Sequence, residues 1–375
     1  MKTAACSRAV EKAMLACLAL ASLAAAPLRT APGGAACGRP ARVQMATVTT
    51  SKPTEVTVVV NGLPGAMGVE VAQACLRRGM RLASVGLTGP SRQGETVEVE
   101  GPDGINTVRL VPGPTSTSPD PSAECEAVGA QLERLRASVG GKLVCIDYTH
   151  PSAVNANAAW YARHGLDFVM GTTGGDRAAL EATVTKSASL YAVIAPNMAK
   201  QIVALQAGLE RMATDFPGAF DGYALRVTES HQATKADTSG TAKAVSRSLA
   251  ALAALPLADG AGAGAGGDAA AGWSDARIER VRDESSQLAG APDGAGYGRL
   301  NPVPTSALSG HAFHTYSLIA PDGSVEFQWR HNVVGRRVYA EGTADAALFL
   351  AGKAADRAGK RLFTMVDLLQ SGAMR

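Results

Sequence analysis

One segment of the chain concentrates side chains that can transfer protons and bind anions. It runs from Glu229 to Thr241 and places His231 and Lys235 four residues apart. An imidazole is the commonest general acid or base in proteins, and an ammonium group can pair with a carboxylate or donate a proton. We therefore expect proton transfer next to a negatively charged ligand in this segment.

The same segment ends in Ser239, Gly240 and Thr241, and a helical pattern follows them. Backbone N–H groups at a helix N-terminus, together with two hydroxyls, form a site for a carboxylate. A solvated loop capped by Ser239 or Thr238 would explain the same residues without a functional role. Both interpretations stand at this point.

A second candidate site is the loop that follows the first predicted strand, VTVVVN. The loop consists of Gly62, Leu63, Pro64, Gly65, Ala66, Met67 and Gly68. This GxxGxxG spacing, between a strand and a helix, is typical of a pyrophosphate-binding loop, because small residues let the backbone approach the phosphates. The alternative is a tight strand-to-helix turn.

The end of the second predicted strand bears on the choice of cofactor. NAD sites usually have an acid there for the ribose 2′-hydroxyl. Here Thr88 and Arg92 follow the strand, and the first acid is Glu95. The sequence therefore favours NADPH, with NADH as a weaker alternative, although Arg92 could equally be a solvated loop charge.

Two further strand ends could face a ligand, since ligands of open α/β sheets lie beyond the carboxyl ends of the strands. The first is the segment from Asp147 to Pro151. The second contains Gly171, Thr172 and Thr173 and offers hydroxyls and close backbone approach to a nicotinamide ring. An ordinary glycine-rich turn is the alternative for the second segment.

The elements that would position these residues form two groups. Up to Asn197, short β-branched runs alternate with helical patterns, which predicts βαβ units and a parallel sheet. The predicted strands are VTVVVN and MRLASVGL, followed by residues 143–149, 167–173 and 191–197, with helices over 152–164 and 176–187.

The pattern changes after Asn197. We expect a long helix over 198–215, a strand YALRVTESH, a helix from about Gly240, and two strands separated by a turn at 321–323. This pattern predicts a second domain of mixed α and antiparallel β structure. The glycine- and alanine-rich stretch 258–272 is expected to be a flexible insertion. The tail predicts two helical segments.

Composition and charge exclude several classes of protein. The chain has 375 residues, 46% hydrophobic and 18% charged, which suits a globular protein of two domains. From residue 55 onward acids slightly outnumber bases and no basic run occurs, so nucleic-acid binding is not expected. No uninterrupted apolar stretch reaches ~20 residues, so no membrane span is expected.

The first 54 residues differ from the rest. They contain seven basic residues and one acid, and fifteen of the first fifty residues are alanine. This composition predicts an organelle transit peptide, with a secretory signal as the alternative because of the stretch MLACLALASLAAA. The body has only Cys75, Cys125 and Cys145, without paired or metal-ligand spacing. We therefore expect a reducing compartment and no metal site.

The motifs together resemble those of the dihydrodipicolinate reductase family of lysine biosynthesis, in its plant and algal form. The resemblance covers about residues 55–375. It is carried by VNGLPGAMG, DYTHPSAVN, FVMGTTGGDR, APNMAKQIV, ESHQATKADTSGTAKAV, SGHAFH, HNVVGRRVYAEGT and FTMVDLL. The order and number of these motifs make a chance match improbable.

The resemblance implies an α/β fold, with a Rossmann-like parallel-sheet cofactor domain and a second α+β domain for substrate binding and oligomerisation. It implies domain bounds of 55–197 plus about 343–375 for the first domain and 198–342 for the second. The expected cofactor-binding residues are Gly62, Leu63, Pro64, Gly65, Ala66, Met67, Gly68, Thr88, Arg92, Gly171, Thr172, Thr173, Ala195, Pro196, Asn197 and Met198.

The resemblance also implies roles in the second domain. His231 is the expected proton donor and acceptor, Lys235 is the second donor, and the substrate carboxylates are expected at Gln232, Lys235, Ser239, Gly240 and Thr241. Gln232 stands where many bacterial members have a second histidine, which leaves its substrate contact open.

The activity implied is NADPH-dependent reduction of a cyclic dicarboxylic imine, by hydride transfer to ring C4, in the chloroplast stroma. A homodimer or homotetramer is expected. The alternatives are an amino-acid or aldehyde dehydrogenase of related design, and a cofactor-binding assembly or sensing protein without catalysis. Both leave the joint presence of His231, Lys235 and the Ser-Gly-Thr helix start less well explained.

Overall fold

The structure is a computed structural model that describes residues 55–114, 122–187, 189–257, 272–290 and 300–374. The predicted transit peptide, 1–54, and residues 258–271 of the predicted insertion lie outside the described residues.

Thirteen strands and nine α-helices make up most of the regular structure of the described residues. The strands are β1 Thr57–Asn61, β2 Arg81–Leu82, β3 Val85–Thr88, β4 Thr96–Gly101, β5 Gly104–Pro112, β6 Leu143–Asp147, β7 Phe168–Met170, β8 Ala192–Ile194, β9 Ala224–His231, β10 Glu279–Val281, β11 His311–Ile319, β12 Glu326–Val334 and β13 Leu362–Phe363. The α-helices are α1 Ala66–Arg77, α2 Ala123–Ser138, α3 Val154–Arg163, α4 Arg177–Lys186, α5 Lys200–Asp215, α6 Gly240–Leu252, α7 Glu284–Ala289, α8 Arg337–Ala355 and α9 Met365–Gln370.

The first sheet has nine strands in the order β13-β8-β7-β6-β1-β3-β5-β4, with β2 also pairing with β1. Its pairs are parallel except for β4 and β5, which form an antiparallel hairpin at one edge. The second predicted strand, MRLASVGL, forms two short strands, β2 and β3. The hydrogen-bond partner changes between them: Ala83 N–H donates to Val58 in β1, whereas the Ser84 carbonyl accepts from Arg109 in β5.

Alternation along the central strands builds a core on each face of this sheet. Val58 and Val144 point to one face and pack with α1, α8 and α9. Val59 and Cys145 point to the other face and pack with α2, α3 and α4. Strands buried on both faces explain why the sequence shows continuous apolar runs here.

The second sheet has the order β10-β9-β11-β12. β11 pairs antiparallel with both β9 and β12, and the turn predicted at 321–323 joins β11 to β12. Leu225, Val227, Tyr316 and Leu318 line one face and pack against α5 and α6. This packing fixes the carboxyl end of β9 beside the start of α6.

The C-terminal segment packs on the first sheet. Helix α8 contributes Ala344, Ala347 and Leu350 to one of its cores, and β13 extends the sheet by pairing with β8. Within the described residues, no helix is long and apolar enough to cross a membrane.

Candidate functional site

The loop between β1 and α1 holds its backbone where side chains would not fit. Gly62 has φ of +111°, and a Cβ there would lie 2.2 Å from the Tyr148 carbonyl oxygen. A Cβ on Gly65 or Gly68 would lie 2.7 or 2.9 Å from the Gly62 oxygen. Gly65 caps α1 without a side-chain hydrogen bond, so the first N–H groups of α1 are open to a ligand. Close approach of the backbone and open N–H groups at a helix start are what a pyrophosphate group requires.

Thr88 and Arg92 occupy different surroundings. Thr88 is buried, and its hydroxyl donates to the Leu63 carbonyl at 2.8 Å, so it braces the glycine-rich loop. Arg92 lies in the exposed turn Pro90–Arg92 and forms an ion pair with Glu95 at 2.7 Å. Of the two, Arg92 is therefore the side chain free to turn towards a bound ligand.

A buried carboxylate organises the loops at the carboxyl ends of the central strands. Asp147 ends β6 and accepts hydrogen bonds from Thr149, Thr172, Asn157 and Tyr161 at 2.8 to 2.9 Å. Burial raises the pKa of Asp147, while these four donors act against that rise. The motif DYTHPSAVN thus ties the loop after β6 to the loop after β7.

A cavity of about 340 Å³ joins the predicted cofactor loops to the predicted catalytic segment. From the first group it is lined by Met67, Thr173, Pro196 and Asn197. From the second group it is lined by His231, Gln232, Lys235, Ser239, Gly240 and Thr241. Two sets of residues that were predicted for different roles therefore meet around one space.

His231 ends β9 and lies in the cavity wall, 8% exposed. Its Nε2 is 3.0 Å from Nε2 of His314 in β11. Burial lowers the pKa of His231 to about 3, and the positive charges of Lys235 and Arg282 add to this effect. The imidazole is therefore uncharged at neutral pH in the ligand-free protein.

Glu229 connects the end of β9 to the start of α6 and to β10. It is fully buried, and its two oxygens accept from Arg282 Nη2 at 2.6 Å and from Ser239 N–H at 3.0 Å. Arg282 also donates to the Lys235 carbonyl at 2.9 Å. This ion pair, between a buried carboxylate and a partly exposed guanidinium, sets the path of the loop that carries Lys235.

Lys235 projects beside the cavity and is partly exposed. Its Nζ lies 2.6 Å from Asp237 Oδ1, and Asp237 is itself mostly exposed. Exposed ion pairs are weak, so a negatively charged ligand can compete for the ammonium group.

The first turn of α6 has the features of an anion site. The Ser239 hydroxyl caps the helix by accepting from Ala242 N–H, and Asn197 Nδ2 donates to the Thr241 hydroxyl at 2.6 Å. The N–H groups of Gly240 and Thr241 belong to the first turn, where a helix offers them no acceptor. They line the cavity and are available to a carboxylate.

Several other predicted residues lie outside this cavity. Leu63 and Met198 are 1% and 2% exposed and pack in the hydrophobic cores. Gly171 packs against the Tyr148 ring, where a Cβ would lie 2.3 Å away.

Thr172 and Ala195 line a wider cleft of about 1320 Å³, which shares Thr173, Pro196 and Gly240 with the smaller cavity.

Three further residues line the cavity although no spacing in the sequence marked them: Arg336, His311 and Tyr339. Arg336 lies directly before α8, and its guanidinium has no ion-pair or hydrogen-bond partner among the described residues. The signal that could have found it is the motif HNVVGRRVYAEGT, whose two arginines follow a glycine at a strand end.

Comparison with known proteins supports a single family. The family model described as dihydrodipicolinate reductase, N-terminus, matches residues 56–198, and the model described as dihydrodipicolinate reductase, C-terminus, matches residues 202–369. The chain is 41% identical over 323 residues to 4-hydroxy-tetrahydrodipicolinate reductase 2, chloroplastic, of Arabidopsis thaliana, covering 85% of this chain and 79% of that protein.

A rice relative and a solved structure agree with this result. The probable 4-hydroxy-tetrahydrodipicolinate reductase 1, chloroplastic, of Oryza sativa subsp. japonica is 42% identical over 318 residues, with 85% of this chain and 80% of that protein covered. The dipicolinate-bound dihydrodipicolinate reductase of Paenisporosarcina sp. TG-14 shares the fold, with a TM-score of 0.50 at 17% identity, over 82% of this chain and 97% of that one. The part of the chain built around the first sheet contains the nicotinamide-cofactor domain. The chain therefore belongs to the dihydrodipicolinate reductase family of oxidoreductases.

Proposed function

We propose that this chain reduces 4-hydroxy-tetrahydrodipicolinate to tetrahydrodipicolinate in lysine biosynthesis, with NADPH as reductant. The observation that carries the proposal is the cavity in which the cofactor loops meet His231, Lys235 and the start of α6. NADPH held by the glycine-rich loop would supply the hydride for ring C4 of the cyclic dicarboxylic substrate, whose C4 hydroxyl would take up a proton and leave as water. The residues of the chain bind the substrate and supply protons.

His231 supplies a proton as electrons are pushed into the ring. In the ligand-free protein its pKa is lowered to about 3 by burial and by the charges of Lys235 and Arg282. A dianionic substrate opposes these charges and favours the protonated imidazole. Proton uptake at His231 is therefore coupled to substrate binding, and a positioned acid of this kind accelerates the reaction ~10²–10⁴-fold.

The two carboxylates of the substrate need separate positive or N–H donor sites. Lys235 together with the N–H groups of Gly240 and Thr241 forms one site. The guanidinium of Arg336, which has no partner within the described part of the chain, forms the other. Gln232 adds a neutral donor in the same cavity. Charge-assisted hydrogen bonds to carboxylates are the strongest contacts available to such a ligand.

The preference for NADPH rests on Arg92. No acid follows β3 before Glu95, and Arg92 is exposed and can exchange Glu95 for a 2′-phosphate. Replacing Arg92 with Gln should raise the KM for NADPH roughly tenfold while leaving the KM for NADH unchanged, because one charge-assisted contact is lost. Arg81→Gln, at an exposed arginine in β2, is the control. An unchanged NADPH to NADH ratio in Arg92→Gln would exclude this role.

A coupled assay tests the activity itself. Aspartate semialdehyde, pyruvate and a purified synthase generate the substrate, and oxidation of NADPH is followed by the loss of absorbance of the reduced nicotinamide. We expect turnover that requires both the synthase and this chain. Turnover with amino acids or aldehydes alone would favour the second enzyme interpretation, and cofactor binding without any turnover would favour a sensing protein.

The proposal includes a location in the chloroplast stroma and a homodimer or homotetramer. The acid-poor leader and the chloroplastic relatives support the location. Strand β12 supports oligomerisation, because among the described residues it is an unpaired edge of the second sheet and leaves Phe327 and Val334 43% and 59% exposed. Light scattering on the purified chain should give a multiple of the monomer mass, and a monomer at micromolar concentration would oppose it.

A further inference from the structure

Two strands of the second sheet bring three metal-ligand side chains into one buried cluster. Glu229 pairs with His314 across β9 and β11, and His231 lies two residues after Glu229, on the same face. All three are buried. We propose that Glu229, His231 and His314 form a binding site for a divalent transition metal ion, such as Zn²⁺.

The donor atoms have the separations that a tetrahedral site needs. His231 Nε2 lies 3.0 Å from His314 Nε2, and Glu229 Oε2 lies 3.6 and 3.9 Å from these two nitrogens. Ligands that surround a tetrahedral ion at ~2.1 Å are ~3.4 Å apart. An ion placed between the three atoms therefore needs only small shifts of the side chains.

The surrounding hydrogen bonds orient the donors as in known metal sites. Arg282 and Ser239 hold the Glu229 carboxylate. His314 Nδ1 lies 2.8 Å from Tyr316 Oη, so a proton on Nδ1 leaves the lone pair of Nε2 free for an ion. Outer hydrogen bonds of this kind fix the tautomer and the ring orientation of ligating histidines.

The site also has an entrance and an open coordination position. His231 lies in the cavity wall, so an ion can enter from the cavity and keep a water molecule as its fourth ligand. Two imidazoles and one carboxylate suit Zn²⁺ better than Mg²⁺ or Ca²⁺, which prefer oxygen ligands. Arg282 is paired with Glu229, and Lys235 is paired with Asp237, each at 2.6 Å. Both positive charges still repel a cation, so we expect reversible binding.

An ion at this site occupies His231 and blocks the cavity. We therefore expect Zn²⁺ to inhibit reduction competitively with the substrate, and this consequence rests on the proposed function. Metal binding itself does not depend on that function, so the two are measured separately.

The test uses the purified full chain, without a histidine tag, titrated with Co²⁺ as a spectroscopic probe. We expect the visible absorption bands of four-coordinate Co²⁺, and their loss when one equivalent of Zn²⁺ is added. His314→Gln and His231→Asn should each weaken Co²⁺ binding about 100-fold, because each removes a ligand. His331→Gln is the control, because the His331 ring lies next to His314 but outside the donor set.

Each result decides one part of the inference. Three results would overturn the metal site. The unaltered chain could show no bands, both ligand variants could keep the bands, or His331→Gln could lose them. Two ligand variants are included because either alone could lose its fold, which circular dichroism would reveal. If Co²⁺ binds but the metal ion does not inhibit NADPH oxidation, the metal site is supported and the role of His231 in catalysis is contradicted.

Discussion

The imidazole of His231 and the ammonium of Lys235 have separable roles in the proposed reaction. His231→Gln should lower kcat by ~10²-fold or more and leave NADPH binding intact, because the variant loses only a proton-transfer partner. Lys235→Ala should lower kcat and also raise the KM for the substrate, because a dianion loses a charge-assisted contact. Steady-state kinetics with varied substrate and NADPH separate these effects.

The two effects should combine less than additively in the double variant, because both residues serve one transition state. NADPH binding followed by fluorescence gives the control for an intact cofactor domain. Unaltered turnover in His231→Gln would remove the proposed proton transfer.

Arg336 should act on substrate affinity. Its guanidinium lines the cavity without a partner among the described residues, so Arg336→Gln should raise the KM for the dicarboxylate by one to two orders of magnitude, equivalent to about 1.5–3 kcal/mol. Arg337→Gln is the matched control, because Arg337 is an exposed neighbour that pairs only weakly with Glu341, at 3.7 Å. Equal KM values in the two variants would place the second carboxylate elsewhere.

The sequence could group candidate site residues only where they lie in one segment. His231, Lys235 and Gly240 are close along the chain, but their spacing alone left a solvated, capped loop as an alternative. His314 comes from β11, where the strand register places it beside Glu229. Arg336 lies directly before α8 and lines the cavity, a position that no local pattern records. Arg282 was missed for the same reason, since its partner Glu229 lies 53 residues away.

At the scale of elements, β10 supports the loop that carries Lys235. Arg282→Gln should lower the free energy of unfolding by about 3 kcal/mol, because the buried Glu229 loses its counter-charge. Arg280→Gln serves as the control, since Arg280 is exposed and donates only to the Ala236 carbonyl. Chemical denaturation measures both variants, and equal stability of the two would show that the Glu229 ion pair contributes nothing.

Strands β9, β11 and β12 carry imidazoles whose burial makes the fold sensitive to acid. Burial lowers the pKa of His231 to about 3 and that of His331 to about 4, and it lowers the pKa of His314 well below its usual value. The unfolded chain takes up protons below pH ~6.5 that the folded chain does not, so stability falls as the pH falls from 7 to 5.

Each such imidazole should contribute roughly 2 kcal/mol to this fall. His331→Gln should therefore reduce the loss of stability between pH 7 and pH 5 by about that amount, measured by urea denaturation at both pH values. An unchanged loss would mean that His331 is protonated in the folded protein.

The elements themselves were predictable where their patterns were regular. The helix predicted over 198–215 is Lys200–Asp215, and the helix expected from about Gly240 begins there. The hairpin of β4 and β5 was not predicted, because its edge strand TVEVEG is largely exposed and rich in acids. The division of the second predicted strand depends on a change of hydrogen-bond partner, which no local pattern records.

The leader, residues 1–54, predicts the cellular location of the protein. Residues 1–55 fused to a fluorescent protein should direct it into plastids, with removal of about 45–55 residues, because the segment is basic and nearly free of acids. A fusion lacking residues 1–54 should stay in the cytosol. Secretion of the first fusion would favour the signal-peptide alternative.

In the proposed reaction, a hydride passes from NADPH to ring C4 of a cyclic dicarboxylate bound in the cavity between the two sheets. The most direct test supplies NADPH carrying deuterium at the transferable position and analyses the tetrahydrodipicolinate formed by mass spectrometry and NMR. We predict one deuterium per product molecule, located at C4, and no such product from His231→Gln within the same time. Product without deuterium, or deuterium at another carbon, would contradict the account.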